Sequence, residues 1–324
     1  SAYFEARRLH KQWNFVLFHH ITYANDWLAN FIGAFLPVPY VRGPGGGAHG
    51  TPKQLMTEYP LGGRIWEKIR AVGQRVLRLD PIFIKGQARA KAILVCNKEA
   101  IANVPKRWAH KVLPFPVSGI LPGDFKGLEG SKNNSGRFQV LTAGSLIRVK
   151  GFGLAIKSFK EFVGNHPEAQ FAIVGSGPEE SRLRDLVHAT NLEGNVDFLG
   201  SLPREQLLKL MSNADVFLFP SLRDGGGTVV IEAMAAGIPV VCLDIGGPGM
   251  HITDECGISV SPESPDVTVR KLASALEKLY VDEPLRLRLG HGGQERAANM
   301  YHWDKLGDQL MSVYQQALDP GDSA

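Results

Sequence analysis

The stretch VDFLGSLPREQLLKLMSNADVFLFPSLRDGGGTVVIEAMAAGIPVVCLD, residues 196–244, alternates short apolar runs with helical patterns. The runs VDFLG, DVFLFPS and PVVCLD are apolar on both faces, which favours buried parallel strands. Between them, EQLLKLM and VVIEAMAA have the apolar spacing of helices. Strand–helix alternation of this kind predicts a doubly wound α/β domain.

The same alternation begins further upstream. FQVLTAG and FAIVGSG are predicted strands, and LAIKSFKEFV and ESRLRDLVHA are predicted helices. Downstream, Ser264-Pro265 supplies the cap and first residue of a later helix. The second half of the chain is therefore predicted to be one Rossmann-like domain.

The first 125 residues are also α/β but thinner, with predicted strands at NFVLFHH, PYVRG, AILVC and KVLPF. A Rossmann-like domain normally has six or seven strands. Either this domain is small, or its first strands lie upstream of Ser1. Our interpretation is a domain that lacks its first strands.

Charge and composition separate the two halves. Residues 1–125 carry 17 Lys/Arg and 7 Asp/Glu, a net +10, whereas the remainder carries 19 and 25, a net −6. The Gly-, Ser- and Asn-rich stretch 121–138 lacks periodicity, as a boundary loop does. We predict an N-terminal domain (1–127), a second domain (128–302) and a C-terminal helix (303–324) that packs back on the first domain.

The overall composition is that of an ordinary globular protein, with 44% hydrophobic and 21% charged residues among 324. Its apolar runs are too short to span a membrane, and its polar opening SAYFEARRLH does not resemble a signal peptide. A cytoplasmic location is expected. No Cys/His cluster has zinc spacing. Three widely separated cysteines predict buried free thiols in a reducing compartment: Cys96, Cys242 and Cys256.

The stretch RDGGGTVVIE, residues 223–232, follows a predicted buried strand and opens a helix. Ligands of α/β sheets bind outside the carboxyl ends of strands, and a helix N-terminus attracts phosphate. Thr228 and Glu232 share one helix face, so Glu232 can accept two hydrogen bonds from a ribose diol. Asp224 precedes the glycines and can hold a second hydroxylated group. The stretch suits a diphosphate flanked by two polyols, which describes a nucleotide-sugar.

These residues resemble family 4 of the retaining glycosyltransferases, which have the GT-B fold of two Rossmann-like domains facing a cleft. PSLRDGGGTVVIEAMAAGIPVV resembles the family's E-x7-E region, and AGSLIRVKGFGLAIKSF its strand–loop–helix. VGSGPEESRLRDLV and HWDKLGDQLMSVYQQAL follow in the family's order. FVLFHHITYANDWL and VPYVRGPGGGAH resemble a branch with a glycine-rich loop in the first domain.

The sequence departs from the family pattern at three positions. The first acid of the signature is Asp224 instead of Glu, and Gly226 replaces an aromatic residue. Ser145 stands where the family has a phosphate-binding Arg, which leaves Lys150 in register and Arg148 near enough to substitute.

The resemblance implies a role for each donor-site residue. Lys150 pairs with the diphosphate, Glu232 holds the ribose, and Asp224 with the backbone of Gly225, Gly226 and Gly227 holds the sugar. The N–H groups of Thr228 and Val229 face the phosphates. Lys150, Asp224 and Glu232 are the predicted catalytic group.

The implied reaction transfers a sugar, with retained anomeric configuration, from a UDP- or GDP-linked donor to a glycan or lipid-linked acceptor. The donor is a substrate, and no cofactor is expected. The sequence contains no Asp-x-Asp, the motif with which other glycosyltransferases hold a divalent metal. We therefore expect a metal-independent reaction in which Lys150 and a helix terminus supply the positive charge.

Residues of the first domain are candidates for the acceptor side. His19 and His20 end a predicted strand, where they line the cleft or fill structural roles. The loop GPGGGAH faces a sugar or phosphate, or is simply flexible; its candidates are Gly45, Gly46, Gly47 and His49.

Two rival interpretations remain. GSGPEE, residues 175–180, with Asp197 further on suggests a dinucleotide fingerprint, but it lacks the third glycine and leaves RDGGGTVVIE unexplained. A non-catalytic or truncated nucleotide-sugar-binding protein is the alternative function, and turnover separates it from an enzyme.

A last pattern concerns the stretch RIWEKIRAVGQRVLRL, residues 64–79. It predicts a helix with one apolar stripe, Ile65, Ile69, Val72, Val76 and Leu79, flanked by Arg64, Lys68, Arg75 and Arg78, with Trp66 at the boundary. Such a helix either faces the core with a solvated basic flank or meets an anionic membrane surface. Lys85, Arg89 and Lys91 add to the basic charge. No nucleic-acid partner is expected, and the inner face of a membrane is a candidate location.

Overall fold

The computed structural model describes residues 2–21, 25–47, 49–121, 123–125 and 136–319. The chain forms two compact units, one of residues 1–50, 61–117 and 304–324, the other of residues 51–60 and 118–303. No helix within the described ranges combines the length and apolarity needed to cross a lipid bilayer.

Within its described residues, the first unit has a four-stranded parallel sheet in the order β1-β2-β3-β4. Its strands are β1 (Phe18–His20), β2 (Tyr40–Gly45), β3 (Ala90–Val95) and β4 (Val112–Pro114). Its helices are α1 (Ala2–Trp13), α2 (Phe31–Phe35), α3 (Leu61–Leu77), α4 (Pro81–Arg89), α5 (Lys98–Asn103) and α13 (Trp303–Leu318), with a 3₁₀ helix at Lys106–Lys111. The four predicted strands are all present.

Side chains alternate between the two faces of this sheet, as strand geometry requires. Tyr40, Ile93 and Val95 pack on one face with Trp108. On the opposite face, the strands pack against α13 through the cluster Val41, Ala92, Leu94, Phe115, Leu306, Val313 and Ala317.

In its described residues, the second unit has a six-stranded parallel sheet in the order β10-β9-β8-β5-β6-β7. The strands are β5 (Gln139–Ala143), β6 (Gln170–Val174), β7 (Val196–Gly200), β8 (Val216–Phe219), β9 (Val240–Leu243) and β10 (Gly257–Val260). The helices are α6 (Phe152–Val163), α7 (Glu180–Ala189), α8 (Arg204–Asn213), α9 (Thr228–Ala235), α10 (Gly246–His251), α11 (Pro265–Val281) and α12 (Glu283–Met300), with 3₁₀ helices at Lys53–Glu58 and Arg148–Lys150.

The central strands of the second sheet, such as β8 and β9, are buried on both faces, which explains their unbroken apolar runs. At one edge of the sheet, β7 exposes Asp197 and Leu199. Val216 and Leu218 of β8 pack with α6 and α11 on one side. Phe217 and Phe219 pack with α8 and α9 on the other. The predicted strands β5–β9 are confirmed, and β10 is a strand that the sequence analysis did not identify.

The units do not follow the predicted domain boundaries. The boundary at 127/128 lies outside the described residues, as does most of the loop 121–138, and the second segment of the first unit ends at residue 117. Residues 51–60 belong to the second unit because Leu55 and Tyr59 are buried in its core. The carboxylate of Glu58 also accepts a hydrogen bond from Lys157 Nζ of α6 at 2.9 Å.

Helix α3 is oriented opposite to the core-facing interpretation. Its buried residues are the polar Glu67 and Gln74, whereas Ile69 and Val72 of its apolar stripe face solvent. Arg78, predicted to lie along the solvated basic flank, is half-buried and donates to Asn103 Oδ1 at 2.8 Å. The three free cysteines are buried, as expected.

Candidate functional site: a switch-point crevice with a lysine–aspartate pair

The strand order of the second sheet places a crevice between β5 and β8. The two strands are neighbours, although β6 and β7 intervene in the chain and extend the sheet in the other direction. At such a topological switch point the connecting loops diverge at the carboxyl ends of the strands, where ligands of this fold class bind. Residues 144–151 and 220–228 follow these two strand ends.

The two loops are held together by close backbone packing. Gly151 has φ +71°, and a Cβ there would lie 2.0 Å from the carbonyl oxygen of Pro220. The Val149 carbonyl accepts from Leu222 N at 2.8 Å and from Ser221 Oγ at 3.1 Å. Glycine at position 151 therefore lets the first loop bring Lys150 against the second.

Lys150 and Asp224 form an ion pair at the crevice. Lys150 Nζ lies 2.5 Å from Asp224 Oδ2. The other carboxylate oxygen, Oδ1, accepts from Gly226 N at 3.2 Å and from Gly227 N at 2.8 Å. Asp224 thus fixes the glycine loop and the lysine at once, so the positive charge is already positioned where α9 begins.

Helix α9 begins directly after the glycines. Gly227 is its N-cap, with φ +60° and no side-chain cap bond. The first N–H groups of a helix have no partner within the helix, and here they belong to Thr228 and Val229. The helix therefore presents its positive end beside Lys150.

A buried histidine, His251, is hydrogen-bonded to the backbone of the glycine loop. The Gly226 carbonyl can only accept, so His251 Nε2 donates to it at 2.7 Å and Nδ1 accepts from the Tyr301 hydroxyl at 2.9 Å. Burial lowers the pKa of His251 to about 4, against the opposing effect of the Gly226 hydrogen bond. The imidazole is therefore neutral near pH 7 and holds one peptide orientation. The sequence analysis did not identify His251, which has no local motif.

Glu232 is held by an arginine that the sequence analysis also missed. Arg204 Nε donates to Glu232 Oε1 at 2.9 Å, and its two terminal nitrogens donate to both oxygens of Asp124 at 2.7 and 2.8 Å. The Arg204 hydrogen bonds lower the pKa of Asp124. Arg204 therefore positions the carboxylate of Glu232, and its one positive charge is shared between two acids.

The family's phosphate-binding arginine falls on Ser145, and Arg148 is the nearby candidate to substitute for it. Ser145 is exposed. Arg148 Nε pairs with Glu179 at 2.9 Å, and its Nη1 donates to the Glu58 carbonyl at 3.3 Å. The structure brings Lys150, Asp224 and the three glycines together, and it turns Arg148 towards other partners.

The glycines of GSGPEE pack closely against the backbone of a neighbouring loop. A Cβ on Gly175 would lie 1.9 Å from the Gly144 carbonyl oxygen, and one on Gly177 would lie 2.6 Å from that of Leu146. These glycines permit backbone contact between the loops after β5 and β6, which is a packing role.

In the first unit, a second glycine-rich loop follows β2. His49 is buried and its Nδ1 donates to the Gly46 carbonyl at 2.8 Å, a group that also accepts from Asn97 Nδ2 at 2.8 Å. His19 Nε2 donates to the Gly43 carbonyl at 2.8 Å, and burial lowers the pKa of His19. His20 stacks near Phe18. Gly45 and Gly47 lie on either side of Gly46.

The described part of the chain contains no group of three or more His, Cys, Asp or Glu side chains arranged to hold a metal ion. The acids at the crevice are instead paired with Lys150 and Arg204.

Comparison with known proteins identifies the family. Residues 128–296 match the family model for glycosyl transferases group 1, and the chain belongs to this family. It is 34% identical over 177 residues to a GDP-mannose-dependent monoacylated alpha-(1-6)-phosphatidylinositol monomannoside mannosyltransferase of Corynebacterium glutamicum, covering 52% of this chain and 45% of that protein. It is 25% identical over 315 residues to an uncharacterized glycosyltransferase of Methanocaldococcus jannaschii, covering 93% of this chain and 76% of that one.

Solved structures confirm the fold. WaaG, a glycosyltransferase involved in lipopolysaccharide biosynthesis, aligns with a TM-score of 0.62 at 17% identity, covering 98% of this chain and 81% of that one. Sucrose-phosphate synthase from Thermosynechococcus elongatus aligns with a TM-score of 0.65 at 22% identity, covering 96% and 76%. The predicted α/β fold of the GT-B type, with its two parallel sheets, is therefore correct.

Proposed function

We propose that this chain is a glycosyltransferase that moves a sugar, with retained anomeric configuration, from a nucleoside diphospho-sugar to a glycan or lipid-linked acceptor. The observation that carries the proposal is the ion pair of Lys150 with Asp224 at the switch point, beside the N-terminus of α9. A cation beside a helix N-terminus, at the carboxyl ends of neighbouring strands, is suited to bind a diphosphate.

Binding of the donor would replace the ion pair between Lys150 and Asp224. Its diphosphate takes the position of the Asp224 carboxylate beside Lys150 Nζ. Asp224 Oδ2 then becomes an acceptor for sugar hydroxyls, while Oδ1 keeps its bonds to the glycine loop. The ribose diol donates to Glu232, which Arg204 holds at 2.9 Å.

The chemical step needs no covalent nucleophile from the protein. The bond between the anomeric carbon and the diphosphate oxygen breaks, and its electron pair stays on that oxygen. The acceptor oxygen attacks the anomeric carbon from the same face and passes its proton to the leaving phosphate. Lys150 and the first N–H groups of α9 stabilise the charge that develops on the diphosphate.

Metal independence is part of the proposal because the protein supplies positive charge through a side chain and a helix terminus. Two relatives suggest donor and acceptor classes. One is named as GDP-mannose-dependent and acting on a phosphatidylinositol mannoside, and the other, from Corynebacterium jeikeium, as a D-inositol 3-phosphate glycosyltransferase. The chain spans 45% and 53% of their lengths.

The experiment is a thermal-shift screen of UDP- and GDP-sugars, followed by measurement of donor hydrolysis and of transfer to lipid-linked and soluble glycans. We expect one nucleotide-sugar to raise the melting temperature and to be turned over equally well in excess chelator. Binding without turnover under any acceptor would instead favour the non-catalytic interpretation. Turnover that chelator abolishes and magnesium or manganese restores would contradict the metal-free mechanism.

A further inference from the structure

Helix α3 exposes its apolar face to solvent and buries part of its polar face, the reverse of a helix that packs on a core. Its apolar side chains recur every three or four residues, the spacing of one helical face. They are between 50% and 73% exposed: Leu61, Ile65, Ile69, Val72, Val76 and, just beyond the helix, Leu79. A contiguous exposed apolar stripe of this kind marks an interaction surface.

The opposite face of α3 holds the glycine-rich loop of the first unit. Arg70 Nη2 donates to the His49 carbonyl at 2.9 Å and to Glu67 Oε2 at 3.2 Å. Gln74 Nε2 donates to the Gly47 carbonyl at 3.4 Å. These buried polar contacts fix the rotation of the helix, so the apolar stripe cannot turn inward without losing them.

Charge along the stripe is of one sign. On a helical wheel Lys68 and Arg75 border the stripe on one side, and both are exposed. Trp66, 64% exposed, borders the other side. Glu67 is the single acid between residues 61 and 79, and it is buried against Arg70.

We propose that α3 docks this chain in the plane of an anionic lipid surface, with the apolar stripe between the headgroups and the basic flank on lipid phosphates. An exposed apolar face, a basic border and an interfacial tryptophan are the features of a helix that lies in a bilayer interface. A second copy of the chain fits less well because it would bring the same basic flank against this one. Docking would hold the glycine-rich loop at a defined height above the lipid through Arg70 and Gln74.

The experiment is co-sedimentation of the whole chain with vesicles of phosphatidylcholine alone or of equal parts phosphatidylcholine and phosphatidylglycerol. Binding to the anionic vesicles is expected, and it weakens as salt rises. Ile65→Glu/Val72→Glu should abolish it at every salt concentration. Lys68→Glu/Arg75→Glu should weaken it by at least about 25-fold, since each basic residue near an anionic surface is worth about fivefold.

Matched controls place the same changes elsewhere. Val281→Glu/Met311→Glu alters two apolar residues that are 66% and 55% exposed on other helices. Lys209→Glu/Lys278→Glu reverses two exposed lysines of the second unit. Both control proteins should bind anionic vesicles as the parent does, and all four variants should keep the parental melting temperature. Trp66 emission should shift to the blue on binding, and Trp66→Phe should remove that shift.

Failure to bind anionic vesicles, or binding that Ile65→Glu/Val72→Glu leaves intact, would overturn the proposal. The proposal would also be overturned if the parent protein formed a concentration-dependent dimer, did not bind vesicles, and became monomeric in this variant. The stripe would then be a self-association surface. The measurement uses neither donor nor acceptor, so its outcome is independent of whether the chain transfers sugar.

Discussion

The two glycine-rich segments, residues 43–47 at the end of β2 and residues 225–227 after β8, have similar supporting hydrogen bonds but lead into different structures. In each, a histidine Nε2 donates to a loop carbonyl, that of Gly43 or Gly226, and its Nδ1 accepts from a tyrosine hydroxyl. The tyrosines are Tyr314, at 2.7 Å from His19, and Tyr301, at 2.9 Å from His251.

The difference lies in what surrounds each loop. The first loop has its carbonyls occupied by Asn97, Gln74 and Arg70, and the next described element is the 3₁₀ helix at Lys53–Glu58. The second runs straight into α9, and its N–H groups meet Asp224 beside a lysine. The same support therefore fixes a packing surface in one unit and exposes a helix terminus in the other, which is why we place the diphosphate only at the second.

The largest expected effect concerns Lys150, the charged residue that distinguishes the second loop from the first. Lys150→Ala should lower kcat about 10²- to 10³-fold, because a positioned charge that stabilises the leaving group is worth that much. Steady-state kinetics with the donor found in the screen gives the value. Arg148→Ala is the matched control, since Arg148 pairs with Glu179. Equal losses in the two variants would move the diphosphate away from Lys150.

The second prediction concerns the two supporting histidines. Because burial lowers the pKa of His251 to about 4 from 6.5, the unfolded chain takes up a proton first as pH falls. The stability due to neutral His251 is complete above pH 6.5 and is lost between pH 6.5 and 4, by about 3 kcal/mol. Urea unfolding across this range should show that slope, and His251→Gln should remove it.

The corresponding variant in the first loop sharpens the contrast. His19 is less buried, and burial lowers its pKa by less. His19→Gln should therefore leave most of the acid-side slope in place. If His19→Gln removes the pH dependence of the free energy of unfolding and His251→Gln leaves it in place, our assignment of the two histidine environments is wrong.

The third prediction concerns the ribose acid. Glu232→Gln keeps the size of the side chain and loses charge-assisted hydrogen bonds worth about 1.5–3 kcal/mol. Calorimetry should show nucleoside diphosphate binding about tenfold or more weaker. Glu180→Gln, which alters an exposed pair with Arg184, is the control and should leave affinity unchanged. Unchanged affinity in Glu232→Gln would displace the ribose from α9.

The smallest effect concerns packing of the first loop. A Cβ on Gly46 would lie 2.1 Å from Cys96 Sγ and 2.5 Å from Asn97 Nδ2. Gly46→Ala should therefore lower the free energy of unfolding by about 1–3 kcal/mol, the usual cost of overpacking. Gly62→Ala in α3 meets nothing within 4 Å and should raise it by up to about 1 kcal/mol. If Gly46→Ala leaves the free energy of unfolding unchanged, the loop is not rigidly packed against Cys96 and Asn97.

Local signals in the sequence were sufficient for the central sheet and for part of the site. Strands β8 and β9 were identifiable because both of their faces are apolar, and α7 matches its predicted pattern residue for residue. Lys150 and Asp224 were assigned to one donor site by the family resemblance, because both fall on positions of its motifs. In contrast, β10 has the sequence GISV, in which Gly and Ser interrupt the apolar run.

Long-range partners were beyond sequence reasoning. Arg204 and His251 matter through contacts with Asp124 and Tyr301, which are 80 and 50 positions away. For α3 the periodicity gave the stripe correctly but could not tell whether it faces the protein or solvent. That choice depends on Glu67, Arg70 and Gln74 finding partners on the neighbouring loop.

The assignment of residues 51–60 to the second unit has a consequence for dissecting the protein. The chain passes between the units four times, after residues 50, 60, 117 and 303. No single cut of the polypeptide therefore yields either unit whole. A fragment of residues 118–303 would leave the places of Leu55 and Tyr59 vacant beneath α6 and α11, a loss of about 2–5 kcal/mol for each large core side chain. The second unit therefore needs residues 51–60 to complete its core, so the two units must be produced as one chain.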